Sequence, residues 1–107
     1  MIFPSPEEMG RAPVWENYVL AQAVQASLGL IPRSALAVGV RVSGTDVELS
    51  FQLSGVSEGD EADMDDIVSE LELLVGDKVS ISRRYDVKDE RDISPRDGVC
   101  WFFLAHR

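Results

Sequence analysis

The residues of this chain that could do chemistry are mostly carboxylates. Between Glu58 and Glu72 lie eight acids and no base: Glu58, Asp60, Glu61, Asp63, Asp65, Asp66, Glu70 and Glu72. Oxygen ligands at this density could hold a divalent cation. The run Glu58-Gly59-Asp60-Glu61-Ala62-Asp63 lacks the alternating Asp/Asn ligands, central Gly and closing Glu of an EF-hand loop, so neither metal nor cofactor is expected. Paired carboxylates doing acid–base work need one member in a dry pocket. These acids lie on the polar side of an amphipathic pattern or in loops. What they can do is favour a helix start, where the dipole welcomes negative charge, and present a negative surface to a basic partner.

The other reactive residues are few. Cys100 and His106 are six apart on one extended stretch, about 20 Å along a strand, too far for a nucleophile and its base to touch. Cys100 reads as a small core residue and His106 as a chain-end residue. Arg83 interrupts an apolar alternation; it suits a ligand-facing cation, an edge position, or a salt bridge to Asp86 or Glu48. No G-x-x-x-x-G-K-[ST], G-x-G-x-x-G or H-E-x-x-H pattern is present. The expectation is a protein that is not an enzyme.

Charge narrows the partners. The net charge is −9, and the acidic run accounts for most of it, while Lys78 to Arg107 carries seven bases against five acids. A nucleic-acid binder needs a basic stripe to neutralise phosphates, and Arg83-Arg84 is the only adjacent basic pair. No nucleic acid and no anionic membrane surface is expected as a partner.

The scaffold that must position these groups is small. The 107 residues, 45% of them hydrophobic, suit one domain with one core and exclude disorder over most of the length. The single Cys cannot close an internal disulfide. No apolar run is long enough for a membrane span, and Met1 to Glu8 shows neither a basic n-region nor an apolar h-region. A cytoplasmic protein is expected.

Residues 1–13 carry three Pro and read as an extended arm. Val14 to Leu28 is free of Pro and Gly and stops at Gly29, which predicts a first helix with Pro13 at its start. Leu36, Val38, Val40 and Val42 alternate with small or polar residues, as do Val47, Leu49, Phe51 and Leu53, on either side of Ser43-Gly44-Thr45-Asp46. That predicts an antiparallel hairpin. Met64, Ile67, Val68, Leu71, Leu74 and Val75 recur at helical spacing before Gly76 and predict a second helix. Val79, Ile81, Tyr85 and Val87 suggest a third strand, Lys88 to Gly98 a loop, and Val99 to Ala105 a fourth strand.

The element order α-β-β-α-β-β predicts an α+β fold: a four-stranded antiparallel sheet with two helices on one face. Cyclic permutation of that order gives the β-α-β-β-α-β string of ferredoxin-like folds. A single domain over 14–107 would contain two helix-hairpin halves, 14–54 and 57–107.

Two surfaces exceed what one core is expected to cover. Val99 to Ala105 is apolar on both parities, so either Trp101 with Phe103 or Cys100 with Phe102 and Leu104 should point at the uncovered sheet face. The other strands would offer Ala37, Gly39, Ser50, Gln52, Ser80 and Ser82 there. On the first helix, Val14, Leu20, Ala21, Val24 and Leu28 form one arc and Trp15, Val19, Ala23 and Ala26 another. One arc can face the sheet; the arm, the long loop or another molecule must cover what remains.

The leading expectation is a non-enzymatic interaction domain that binds a basic protein through Glu58, Asp60, Glu61, Asp63, Asp65, Asp66, Trp101 and Phe103. Small acidic inhibitors of basic enzymes, such as immunity proteins that neutralise nuclease toxins, work with charge and size of this kind. No motif is shared with them, and the analogy is one of charge and size alone. The alternative is a homodimeric small-ligand-binding domain, its apolar pocket between sheets lined by Arg83, Tyr85, Trp101 and Phe103.

Overall fold

A computed structural model describes residues 12–76, 78–94 and 96–105. The elements run α1 (Ala12–Ser27), β1 (Ala35–Ser43), β2 (Asp46–Leu53), α2 (Glu58–Val75), β3 (Ser80–Val87) and β4 (Cys100–Leu104). This is the α-β-β-α-β-β order, and both helices contribute to one core on one side of a four-stranded sheet. Met1 to Arg11 of the expected arm, and His106, lie outside the described residues.

The hairpin forms, and its predicted alternation holds from Val38 on; at the start of β1 a bulge breaks the phase, so that Ala35 and not Leu36 joins the core, opposite Leu53. Val38, Val40 and Val42 of β1 pair with Phe51, Leu49 and Val47 of β2, all on the helix side. Gly44 takes the first of two turn positions with φ 59, the positive value a type II′ turn requires there. Each fully buried Leu, Val or Phe of this layer contributes roughly 1.5–3 kcal/mol. Trp15, Val19, Ala23 and Ala26 of α1 and Met64, Ile67 and Leu71 of α2 close the core from above.

The sheet is mixed, in the order β3-β2-β1-β4, and not antiparallel throughout. Its 18-residue helix α2, about 27 Å long, carries the chain from the end of β2 back to where β2 began. There Ser80 N–H donates to the Thr45 carbonyl, and β3 pairs in parallel with β2 from Asp46↔Ser80 to Leu53↔Val87. A strand entered after a helical crossover lies parallel to the strand that precedes it. In the split βαβ of ferredoxin-like folds another strand separates the two parallel ones; here β2 and β3 are direct neighbours, so that arrangement is not formed.

The second helix-hairpin half is not formed either. Strands β3 and β4 occupy opposite edges of the sheet, because the segment after Val87 crosses the face turned away from the helices instead of making a turn. Gln52 pins this strap: its Nε2 donates to the Asp92 carbonyl, and Asp92 N–H donates back to Gln52 Oε1 at 2.8 Å. The chain then enters β4, which pairs antiparallel with β1.

In β4 the expected choice between two side-chain sets is resolved by a bulge. Val38 pairs with Phe103 and the next β1 residue, Gly39, with Trp101, leaving Phe102 as the extra residue. Phe102 and Phe103 both pack against the core, while Trp101 and Leu104 take the opposite side, with Gly39 and Ala37. Trp101 needs that glycine. A Cβ on Gly39 would lie 2.5 Å from Val99 Cγ1, 2.8 Å from Trp101 Cε3 and 2.9 Å from the Cys100 carbonyl oxygen. We expect Gly39→Ala to lower stability by about 1–3 kcal/mol in urea denaturation, through the overpacking it forces. An unchanged midpoint would show that the indole does not lie over this position.

Candidate functional site

The acidic run is divided between two tasks. Ser57 caps α2, and Asp60 completes a capping box: Asp60 N–H donates to Ser57 Oγ at 3.2 Å, and Ser57 N–H to Asp60 Oδ2 at 3.0 Å. Ser34 Oγ–H donates to the same carboxylate oxygen at 3.0 Å, tying the helix start to the approach to β1. Asp60 is only 8% exposed, so its charge is spent inside the fold. Asp63 is half-buried. Glu58, Glu61, Asp65, Asp66, Glu70 and Glu72 are exposed: Glu58, Glu61, Asp65 and Glu72 fall in one row and Asp66 with Glu70 in another, on the two flanks of the solvent-facing half of the helix. Leu73, 79% exposed, extends that side at its C-terminal end.

Arg83 lies on the helix-facing parity of the edge strand β3, opposite Leu49. Its Nε donates to Asp65 Oδ1 at 2.7 Å, and its guanidinium also approaches Met64 Sδ. The edge position is as read from the sequence, but the partner is Asp65 on α2 in place of Asp86 or Glu48. Tyr85 and Val87 share its parity and are largely exposed.

The structure therefore separates residues grouped by the sequence reading. Trp101 is on the sheet face away from α2, whereas Phe103 is half-buried on the helix side, so the two aromatics do not share a surface with one another. Arg83 and Tyr85 stand on the edge strand opposite the one carrying Trp101 and Phe103, so the four do not line one pocket within the chain. Cys100 is exposed and not a core residue, because β4 is an edge strand with no neighbour beyond it. On α1 the Trp15 arc faces inward, with the indole Nε1–H donating to the Gly44 carbonyl at 2.8 Å. From the other arc Val14, Ala21, Val24 and Leu28 are exposed, and Leu20 joins the core margin.

The sheet face opposite the helices carries a second assembly. A row runs across all four strands: Trp101 of β4, Gly39 of β1, Ser50 of β2 and Arg84 of β3. Arg41 stands beside it on β1, paired with Glu48. The strap passes over this face and, with Trp101, Ser50, Gln52, Arg41 and Arg84, lines a half-open cavity of about 190 Å³. Ser50 and Gln52 are buried beneath it. Of the small-residue face expected from the sequence, Ala37, Gly39, Ser50 and Gln52 are covered while Ser80 and Ser82 stay exposed, and Arg41 and Arg84 add two cations that the expectation had not singled out. Period-two reading does place Arg84 with Ser80 and Ser82, which is the signal that could have found it.

Asp97 anchors the strap to this face. Its carboxylate accepts from Val99 N–H at 3.0 Å, Trp101 Nε1–H at 2.9 Å and Ser94 N–H at 3.1 Å. Arg41 in turn donates to the Asp97 carbonyl. The Val99 amide, then the Trp101 indole, hold the Asp97 pKa below the usual carboxylate value, since they stabilise the charged form.

Among the described residues no helix is long and apolar enough to cross a membrane, and no three His, Cys, Asp or Glu side chains gather as a metal site. The chain matches no protein-family model, and no curated protein matches it.

The Asp97 anchor makes stability depend on pH with a defined sign. With its folded pKa lowered, the unfolded chain binds the proton first, so this contribution is complete above the ordinary carboxylate range and is lost as pH falls through the lowered value. Denaturation midpoints of the wild type and Asp97→Asn should converge as the pH is taken from neutral into the acid range. A constant difference between them at every pH would contradict the anchor.

Proposed function

We propose that this chain is a non-catalytic protein-binding module that engages a basic partner through the solvent side of α2. The observation that carries the reading is the arrangement of that side. Glu58, Glu61, Asp65, Asp66, Glu70 and Glu72 are exposed along a helix that contains no basic residue. Among the described residues only Asp65 of this set has a salt-bridge partner, Arg83. The remaining carboxylates have no salt-bridge partner among the described residues and are turned outward.

Such a surface raises the encounter rate with a positively charged molecule and repels competitors of like charge. Leu73, on the same side, supplies an apolar contact that long-range charge alone lacks. Trp101 lies across the sheet and is left out of this interface. Analogy with small acidic inhibitors of basic enzymes supports the reading at the level of charge and size only.

The test begins with affinity capture at low salt, followed by association kinetics with the purified partner. The partner should be basic, and its association rate should fall steeply with added salt. Reversing Glu61, Asp66 and Glu70 to Lys should slow association about tenfold or more at low salt and flatten the salt dependence. These are exposed side chains outside the capping box, so the fold should persist. A partner that associates equally fast with the triple variant would refute an acidic docking face, as would the capture of no basic partner.

A further inference from the structure

From the cavity under the strap we infer that the sheet face opposite the helices is a binding site for a small oxyanion, a carboxylate or a phosphate. This site is independent of the α2 interface, since it lies on the other side of the sheet.

The first observation is Ser50. It is 5% exposed, its side chain belongs to the cavity wall, and its Oγ has no hydrogen-bond partner. A buried hydroxyl without a partner is destabilising, so a group that satisfies it is favoured on entry. Its place is central. Ser50 pairs with Gly39 on one side and Arg84 on the other, with the Trp101 ring filling the space over Gly39.

The second observation is a surplus of donors. The three carboxylates around the cavity are already engaged. Asp86 holds Arg84 at 3.0 Å, Asp92 holds Lys88 at 3.2 Å, and Asp97 is filled by two backbone N–H groups and the Trp101 indole. On the donor side, Arg41 gives a single hydrogen bond, to the Asp97 carbonyl, and pairs with no carboxylate among the described residues. A guanidinium carries five N–H donors in a planar fork, so Arg41 and Arg84 both retain most of theirs. They rise from strands on either side of the one carrying Ser50, about 12 Å apart by strand spacing and a two-residue offset along the strands. Two forks with a hydroxyl between them fit a group rich in acceptors and carrying negative charge.

Volume limits the ligand. Drug-sized molecules occupy pockets of roughly 300–1,000 Å³. The cavity of about 190 Å³ takes something smaller. Inorganic phosphate and short mono- or dicarboxylates meet both the charge and the size.

The test is a titration of the full ¹⁵N-labelled chain with inorganic phosphate, with succinate, and with sodium chloride at matched ionic strength. The Trp101 indole N–H and the Arg41 and Arg84 Nε–H signals report the site. A saturable shift with phosphate or succinate but not with chloride supports it, and the anion that binds tighter identifies the ligand class. Arg41→Gln should weaken that binding about tenfold or more, the loss expected for a charge-assisted hydrogen bond. Ser50→Ala removes only the orphan hydroxyl, so the chain should stay folded while affinity falls. Shifts that do not saturate, shifts equal to those with chloride, or undiminished binding by both variants would overturn the assignment.

Discussion

One inserted residue in β4 decides what each side of this molecule can do. A strand alternates its side chains with period two, so a strand apolar on both parities must expose one set. The bulge at Phe102 suspends that rule. It lets Phe102 and Phe103 both join the core and delivers Trp101 to the far side. Once there, the indole lies over Gly39 and donates to Asp97, and Asp97 in turn holds the strap by its own backbone. Without the bulge the aromatics would stand in other phases and the strap would lose its fastening.

The strap follows from a second constraint. Helix α2 returns the chain to the start of β2, so β3 must run parallel to β2 and finish at the sheet's far corner. β4 takes the position beside β1, at the opposite edge, and the chain reaches it across the open face. Polar side chains meet it there. Gln52 gives the strap a two-way backbone bond, and Arg41 takes the Asp97 carbonyl. The crossing leaves a protein with two chemically opposite faces: unneutralised carboxylates on α2, and surplus donors beneath the strap.

Much of this was legible locally. Both helices, the β1–β2 hairpin and its glycine turn follow from periodicity and from residues with strong turn preferences. The inward arc of α1 was one of two visible in the sequence; packing chose the one carrying Trp15. The parallel pairing of β2 and β3 could not be read from the strand patterns, because alternation says which face a residue takes and nothing about strand direction; the readable signal was the helix between them, which makes a crossover. The bulge was hidden for a related reason: a fully apolar strand has no phase to lose. At the site, Asp60 looked like its exposed neighbours in the acidic run, yet Ser57 three residues before it was a readable capping signal. Ser50 and Arg84 became neighbours only through the parallel register.

The separation of the two faces is tested most directly by the environment of Trp101, through nuclear Overhauser contacts from its indole protons. The account predicts contacts to Gly39 Hα and the Val99 methyls, and none to Val19, Met64 or Ile67 of the core. An indole in contact with those core side chains would mean that β4 is not bulged as described. The roofed, donor-rich face would then not exist.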